Sequence, residues 1–147
     1  MNASRCAAAR DPALVSAYLA TSYRVDAPGG RIVLRIGQRS RPLERVLRRS
    51  RAQCWAYVTA CNPASRSLSG WRNAARARRL ARLAAAWGLR TLPGEGVGED
   101  PAWGAEASLL VLGVAPARAI RLARQFGQYA IVVGRRGAAP RLEWCRA

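Results

Sequence analysis

Thr59, Asn62 and Ser65 form the first of three polar clusters set beside apolar stretches; Trp103, Glu106 and Ser108 form the second, and Phe126-Gly127-Gln128 the third. The first cluster leaves a strand-like run and leads toward a long helical stretch. Ligands favour such strand-to-helix loops, because the first N–H groups of a helix are unpaired and attract anions. Asn and Ser there can donate to an anionic or carbonyl group. Glu106 can accept a proton and so serve as a general acid or base. It is one of only 8 acidic residues, so an ion pair with one of the 25 basic residues is the cheaper arrangement and the expected one. Each residue also has a purely structural reading. Asn62-Pro63 is good turn chemistry, the serines at 65, 67 and 69 can cap a helix, and Gln128 can satisfy a backbone edge. Asn73, one turn into the helix and facing the sheet, either braces the Asn62 loop or binds something. Trp103 reads as a lid or, more simply, as an apolar plug for an acidic loop.

What the chain lacks narrows the chemistry. With no histidine, Ser-His-Asp and Cys-His catalysis and histidine-bound metals are excluded. The cysteines (Cys6, Cys54, Cys61 and Cys145) contain no C-x-x-C pair, so no metal and no cofactor is expected. Cys61 has no histidine to activate it. The formal charge of +17 suggests nucleic acid, with Arg45, Arg48, Arg49, Arg72, Arg76 and Arg79 as contacts. Yet every basic residue is arginine and alanine is abundant, the codon bias of a GC-rich bacterial genome. The arginines are therefore read mainly as solvated faces giving weak, non-specific nucleic-acid binding. No apolar run approaches the ~20 residues of a membrane span, and the first residues have no signal-peptide core. A cytoplasmic protein without membrane contact is expected.

The elements that must hold these residues are legible from caps, turns and periodicity. Asp11-Pro12 opens a short helix carrying Leu14, Val15, Tyr18 and Leu19 toward Thr21. After the Pro28-Gly29-Gly30 turn come a strand at 31–36, a basic helix at 42–49 and a strand at 54–59. Ser67 or Ser69 can cap the next helix, Leu80, Leu83, Ala84 and Trp87 form its buried stripe, and Gly88 ends it. Residues 92–103 read as an acidic loop. A strand at 106–112, a helix from Pro116 stopped by Gly127, a strand at 128–133 and an edge strand at 141–144 complete the chain. A single α+β domain over residues 1–147 follows, its core at 11–144 and residues 1–10 flexible. It has a mixed sheet of about five strands packed by three or four helices. Thr59 ends its strand whereas Glu106 begins one, so one shared site requires these strands to be antiparallel. A short intervening strand at 90–92 would permit that.

Ala17-Tyr18-x-x-Thr21-x-Tyr23, Thr59-Ala60-Cys61-Asn62-Pro63-x-Ser65, Asn73, Trp103-x-x-Glu106-x-Ser108 and Phe126-Gly127-Gln128, in that order, resemble the bacterial DUF3293 family, a family of unknown function. The resemblance runs over about residues 13–142, with Ala107 standing where the family often has proline. It implies a small bacterial protein and supplies no activity. The leading expectation is a small anionic or nucleotide-like ligand bound by Thr59, Asn62, Ser65, Asn73, Trp103, Ser108 and Gln128, with Glu106 the candidate catalytic residue. The alternatives are a nucleic-acid-associated protein and an interaction module without a pocket.

Overall fold

The computed structural model describes residues 11–145, so the expected flexible segment at 1–10 lies outside it. Four helices and seven strands follow in the order α1 (Pro12–Ala20), β1 (Ser22–Ala27), β2 (Gly30–Leu34), α2 (Arg41–Arg49), β3 (Cys54–Thr59), a single 3-10 turn (Pro63–Ser65), α3 (Gly70–Ala86), β4 (Arg90–Val97), β5 (Glu106–Leu112), α4 (Pro116–Arg124), β6 (Ala130–Arg135) and β7 (Arg141–Trp144). The expected cap holds at α1, where the Asp11 side chain accepts from the Ala13 N–H; at α2 Ser40 accepts from the Leu43 N–H, whereas Ser69 stands at the N-cap of α3 without a side-chain bond to it. Among the described residues no helix is long and apolar enough to cross a membrane.

The strands form one sheet in the order β2-β1-β4-β5-β3-β6-β7. Every neighbouring pair is antiparallel, so the expected mixed sheet of about five strands is corrected to an antiparallel sheet of seven. The reason lies in the two helical connections. β3-α3-β4 returns in the same direction but two places away, and β5 fills the gap; β5-α4-β6 does the same around β3. This interleaving is the split β-α-β arrangement of ferredoxin-like folds. The hairpin β1–β2 extends it at one edge and β7 at the other.

Two expectations at the β1 side also change. Ser22–Ala27 is a strand not anticipated above, with Tyr23 and Val25 buried and Arg24 and Asp26 turned outward. Arg24 pairs with Glu95 and Asp26 with Arg31, which lets charged residues sit in a strand. The first half of the supposed acidic loop at 92–103 is β4, which extends well past the short strand at 90–92. Pro93 is tolerated because the ladder with β1 stops at Gly94.

Side chains alternate across the sheet and build two cores. On one face α3 and α4 pack Leu80, Ala84, Leu122 and Phe126 against Ala56, Val58, Val111 and Val133. On the other, α2 packs Leu43 and Leu47 over Tyr23, Val25, Leu34, Trp55, Tyr57 and Leu110. α1 is tied to this second face, where the Tyr23 hydroxyl donates to the Tyr18 carbonyl at 2.8 Å and Tyr18 meets Trp144 edge-on.

Candidate functional site

The antiparallel relation of β3 and β5 brings the polar clusters together. Thr59 lies opposite Ser108, Glu106 opposite Gly96, and Gly96 opposite Tyr23. These residues share the face that carries Tyr57, away from α3 and α4. Gly96 has no side chain to fill the row between Tyr23 and Glu106, and α1 stands over the gap. The result is a cavity of about 600 Å³, a size suited to a small organic molecule. Thr59, Asn62, Ser65, Trp103, Glu106, Ser108 and Gln128 all border it.

Asn62 is the joint of the site. Its backbone is left-handed, with φ of 46°, and Ala64 and Ser65 follow at 52° and 56°. Such conformations cost residues other than glycine free energy and persist only where surroundings impose them. Here the Asn62 N–H donates to Asn73 Oδ1 at 2.9 Å, and Asn62 Oδ1 accepts from the Leu68 N–H and from Asn73 Nδ2. Asn62 Nδ2 then donates to Glu106 Oε1 at 2.7 Å. Asn73 does not border the cavity; of its two expected roles, its hydrogen bonds are those of a brace behind the loop.

Glu106 is not in the expected ion pair. Its Oε1 accepts from Asn62 and from the Trp103 indole N–H at 2.8 Å, and no arginine among the described residues lies within salt-bridge distance of it. Trp103 is 41% exposed and stands over the carboxylate, so it is a rim residue and not a buried plug.

Gln128, 6% exposed, donates from Nε2 to the Cys61 carbonyl at 2.9 Å and satisfies the backbone edge foreseen for it. Arg76 completes the frame, donating to the carbonyls of Ala60 and Phe126 at 2.6 and 2.5 Å. It is thus a structural clamp, not the solvated side chain expected of α3. Burial raises the pKa of Cys61, so its thiol stays protonated and is a poor nucleophile.

Tyr18, Tyr23 and Tyr57 also border the cavity and were not counted among the candidate residues. Burial pushes all three phenols well above their usual range. Tyr18 and Tyr23 stood in the first of the motifs quoted above, and Tyr57 shares a strand face with Thr59; that was the available signal. The expected anionic ligand finds no arginine in the cavity wall among the described residues. Among the described residues no group of three or more His, Cys, Asp or Glu could hold a metal ion.

The fold and the cavity define an α+β protein with a braced polar site on the sheet face beneath a short helix. The chain belongs to the DUF3293 family, described as a protein of unknown function, whose model matches residues 58–131. That segment contains every candidate ligand-binding or catalytic residue named from sequence, while Tyr18, Tyr23 and Tyr57 precede it. Comparisons with curated proteins and with solved structures found no match.

Proposed function

We propose that this chain binds a small organic molecule in the cavity beneath α1. The observation that carries the reading is the convergence of seven sequence-distant polar or aromatic residues on one concavity, with Asn62 held in a left-handed conformation to reach Glu106. A turn that served only to connect β3 to α3 would not need its side chains fixed against a strand 44 residues away. The arginine-for-lysine bias supports a bacterial origin, and the free thiols of Cys54 and Cys61 fit the reducing cytoplasm.

The test is a thermal-shift screen of a metabolite library against the native chain and an Ala17→Trp variant, which fills the cavity from α1. Ligand at ~100 times its Kd adds about 2.7 kcal/mol of stability, enough to raise the melting temperature by several degrees. Hits should stabilise the native chain and not the filled variant. Hits that stabilise both equally, or a library without hits, would overturn the reading.

A further inference from the structure

From hydrogen-bonding capacity and charge together, we infer that the ligand is an organic cation, a primary ammonium carried on a compact apolar body. This rests on the binding role proposed above and names the class of molecule.

The first argument is which groups remain free. Tyr23 and Tyr57 donate their hydroxyl protons to the carbonyls of Tyr18 and Arg24, at 2.8 and 2.7 Å. Thr59 donates to the Ala107 carbonyl and Ser108 to the Glu106 carbonyl. A carbonyl can only accept, so in each of these hydroxyls the proton is spent and lone pairs are what is left. The amides behave alike. Asn62 and Gln128 direct N–H groups at Glu106 and at the Cys61 carbonyl, and the Trp103 N–H is also on Glu106. The second carboxylate oxygen of Glu106 and the amide oxygen of Gln128, a residue 94% buried at the cavity wall, accept from no group among the described residues. Apart from the hydroxyls of Ser16, Tyr18 and Ser65, which make no hydrogen bond among the described residues, the wall is short of donors and has acceptors to spare. A molecule rich in N–H donors completes it; an anion does not.

The second argument is charge. Asp11, Glu99, Asp100 and Glu106 border the cavity, which is four of the chain's 8 acids, and no arginine among the described residues does. None of the four is in a salt bridge among the described residues, although Asp26, Glu95 and Glu143 each are. In so arginine-rich a chain, leaving these acids unneutralised at one place makes a local negative field inside a positive molecule. Tyr18, Tyr23, Tyr57 and Trp103 add aromatic rings that attract a cation, and Leu14, Ala17 and Val132 supply apolar wall for its body.

The test is a nitrogen–proton NMR titration following the Trp103 indole and Asn62 side-chain signals, which locates binding at this cavity and not at the arginine-lined groove of Trp87, Arg118, Arg121 and Arg124. The probes are phenethylamine, phenethyl alcohol and hydrocinnamate, which share a body and differ in head group. The corresponding tryptamine and hexylamine sets vary the body. The amines should bind best. Glu106→Gln should weaken them about ten- to a hundredfold, the loss expected for a charged hydrogen bond. Glu99→Gln, at an exposed rim position where folding is not at risk, should weaken them less and make binding less sensitive to salt. If the alcohol or carboxylate binds as well as the amine, or if amine affinity is unchanged in both variants, the cation inference fails while the binding role stands. If no head group on any body moves these signals, both fail.

Discussion

Asn62 spends its side chain on three partners, and that commitment makes Glu106 testable without a ligand. The Asn62 amide is buried and gives an N–H to the Glu106 carboxylate. In Glu106→Gln an amide oxygen remains to accept, so the cost should be below about 1 kcal/mol; in Glu106→Ala the buried donor is orphaned, at about 1–3 kcal/mol. Urea unfolding of the two variants measures the difference, and equal losses would mean that the Asn62 amide does not depend on this contact. The residue types were legible in advance because polar side chains at strand ends stand out. Their partners were not. Asn62 meets Asn73 and Glu106 across 11 and 44 residues of chain, and nothing local distinguishes bracing from binding. The arginine partner expected for Glu106 was a statistical inference from abundance, overridden by the nearer Asn62 and Trp103.

β4 shows how packing decides an element that local signals mark as loop. Pro93, Gly94 and Gly96 are poor strand residues by propensity. A Cβ at Gly94, however, would stand 2.0 Å from the Arg24 carbonyl oxygen and 3.1 Å from the Tyr57 hydroxyl. Only glycine lets Tyr57 reach that carbonyl beneath the β1–β4 pair. Gly94→Ala should therefore cost ~3 kcal/mol or more, since backbone cannot move aside cheaply, whereas Gly98→Ala, in open space, should stay within ~0.5 kcal/mol. Chemical denaturation compares them, and a tolerated Gly94→Ala would contradict the close approach. The helices, by contrast, were readable: the stripe Leu80, Leu83, Ala84 and Trp87 does face the sheet. Arg76 departs from it because its long side chain reaches back to two carbonyls at the strand ends.

Two properties belong to the molecule as a unit. Tyr18, Tyr23 and Tyr57 have phenol pKa values raised by burial in the folded chain. An acid whose pKa is higher folded than unfolded keeps its proton longer in the fold. Stability from these groups is thus complete below the unfolded value of about 10 and declines as pH rises above it. Alkaline unfolding should begin above about pH 10, with tyrosinate absorbance from these residues appearing together with loss of structure. Their titration near the ordinary value in a still-folded chain would contradict their burial. The charge of +17 is likewise global. Arg45, Arg48 and Arg49 ride on α2 over one sheet face, whereas Arg72 and Arg79 ride on α3 over the other, and Arg76 is engaged by backbone. No single duplex groove can use both sets. Binding to duplex DNA should be weak, without sequence preference and steeply reduced by salt. Submicromolar, sequence-selective binding at physiological salt would restore the nucleic-acid reading.

From the sequence alone came the α+β class, the four helices, the family and seven of the residues at the cavity, because caps, apolar periodicity and clustered polar residues are local signals. The antiparallel order of seven strands was decided elsewhere, by which strand fills the gap left by each helical return. The same holds for the sign of the cavity. A chain-wide excess of arginine suggests a polyanion partner, but the register that sets Glu106 beside Gly96 and Tyr23, and the hydrogen bonds that spend the hydroxyl protons of Tyr23, Tyr57, Thr59 and Ser108, leave acceptors and carboxylates facing the space. Composition averages over the surface, whereas a ligand meets only the side chains that the fold points at it.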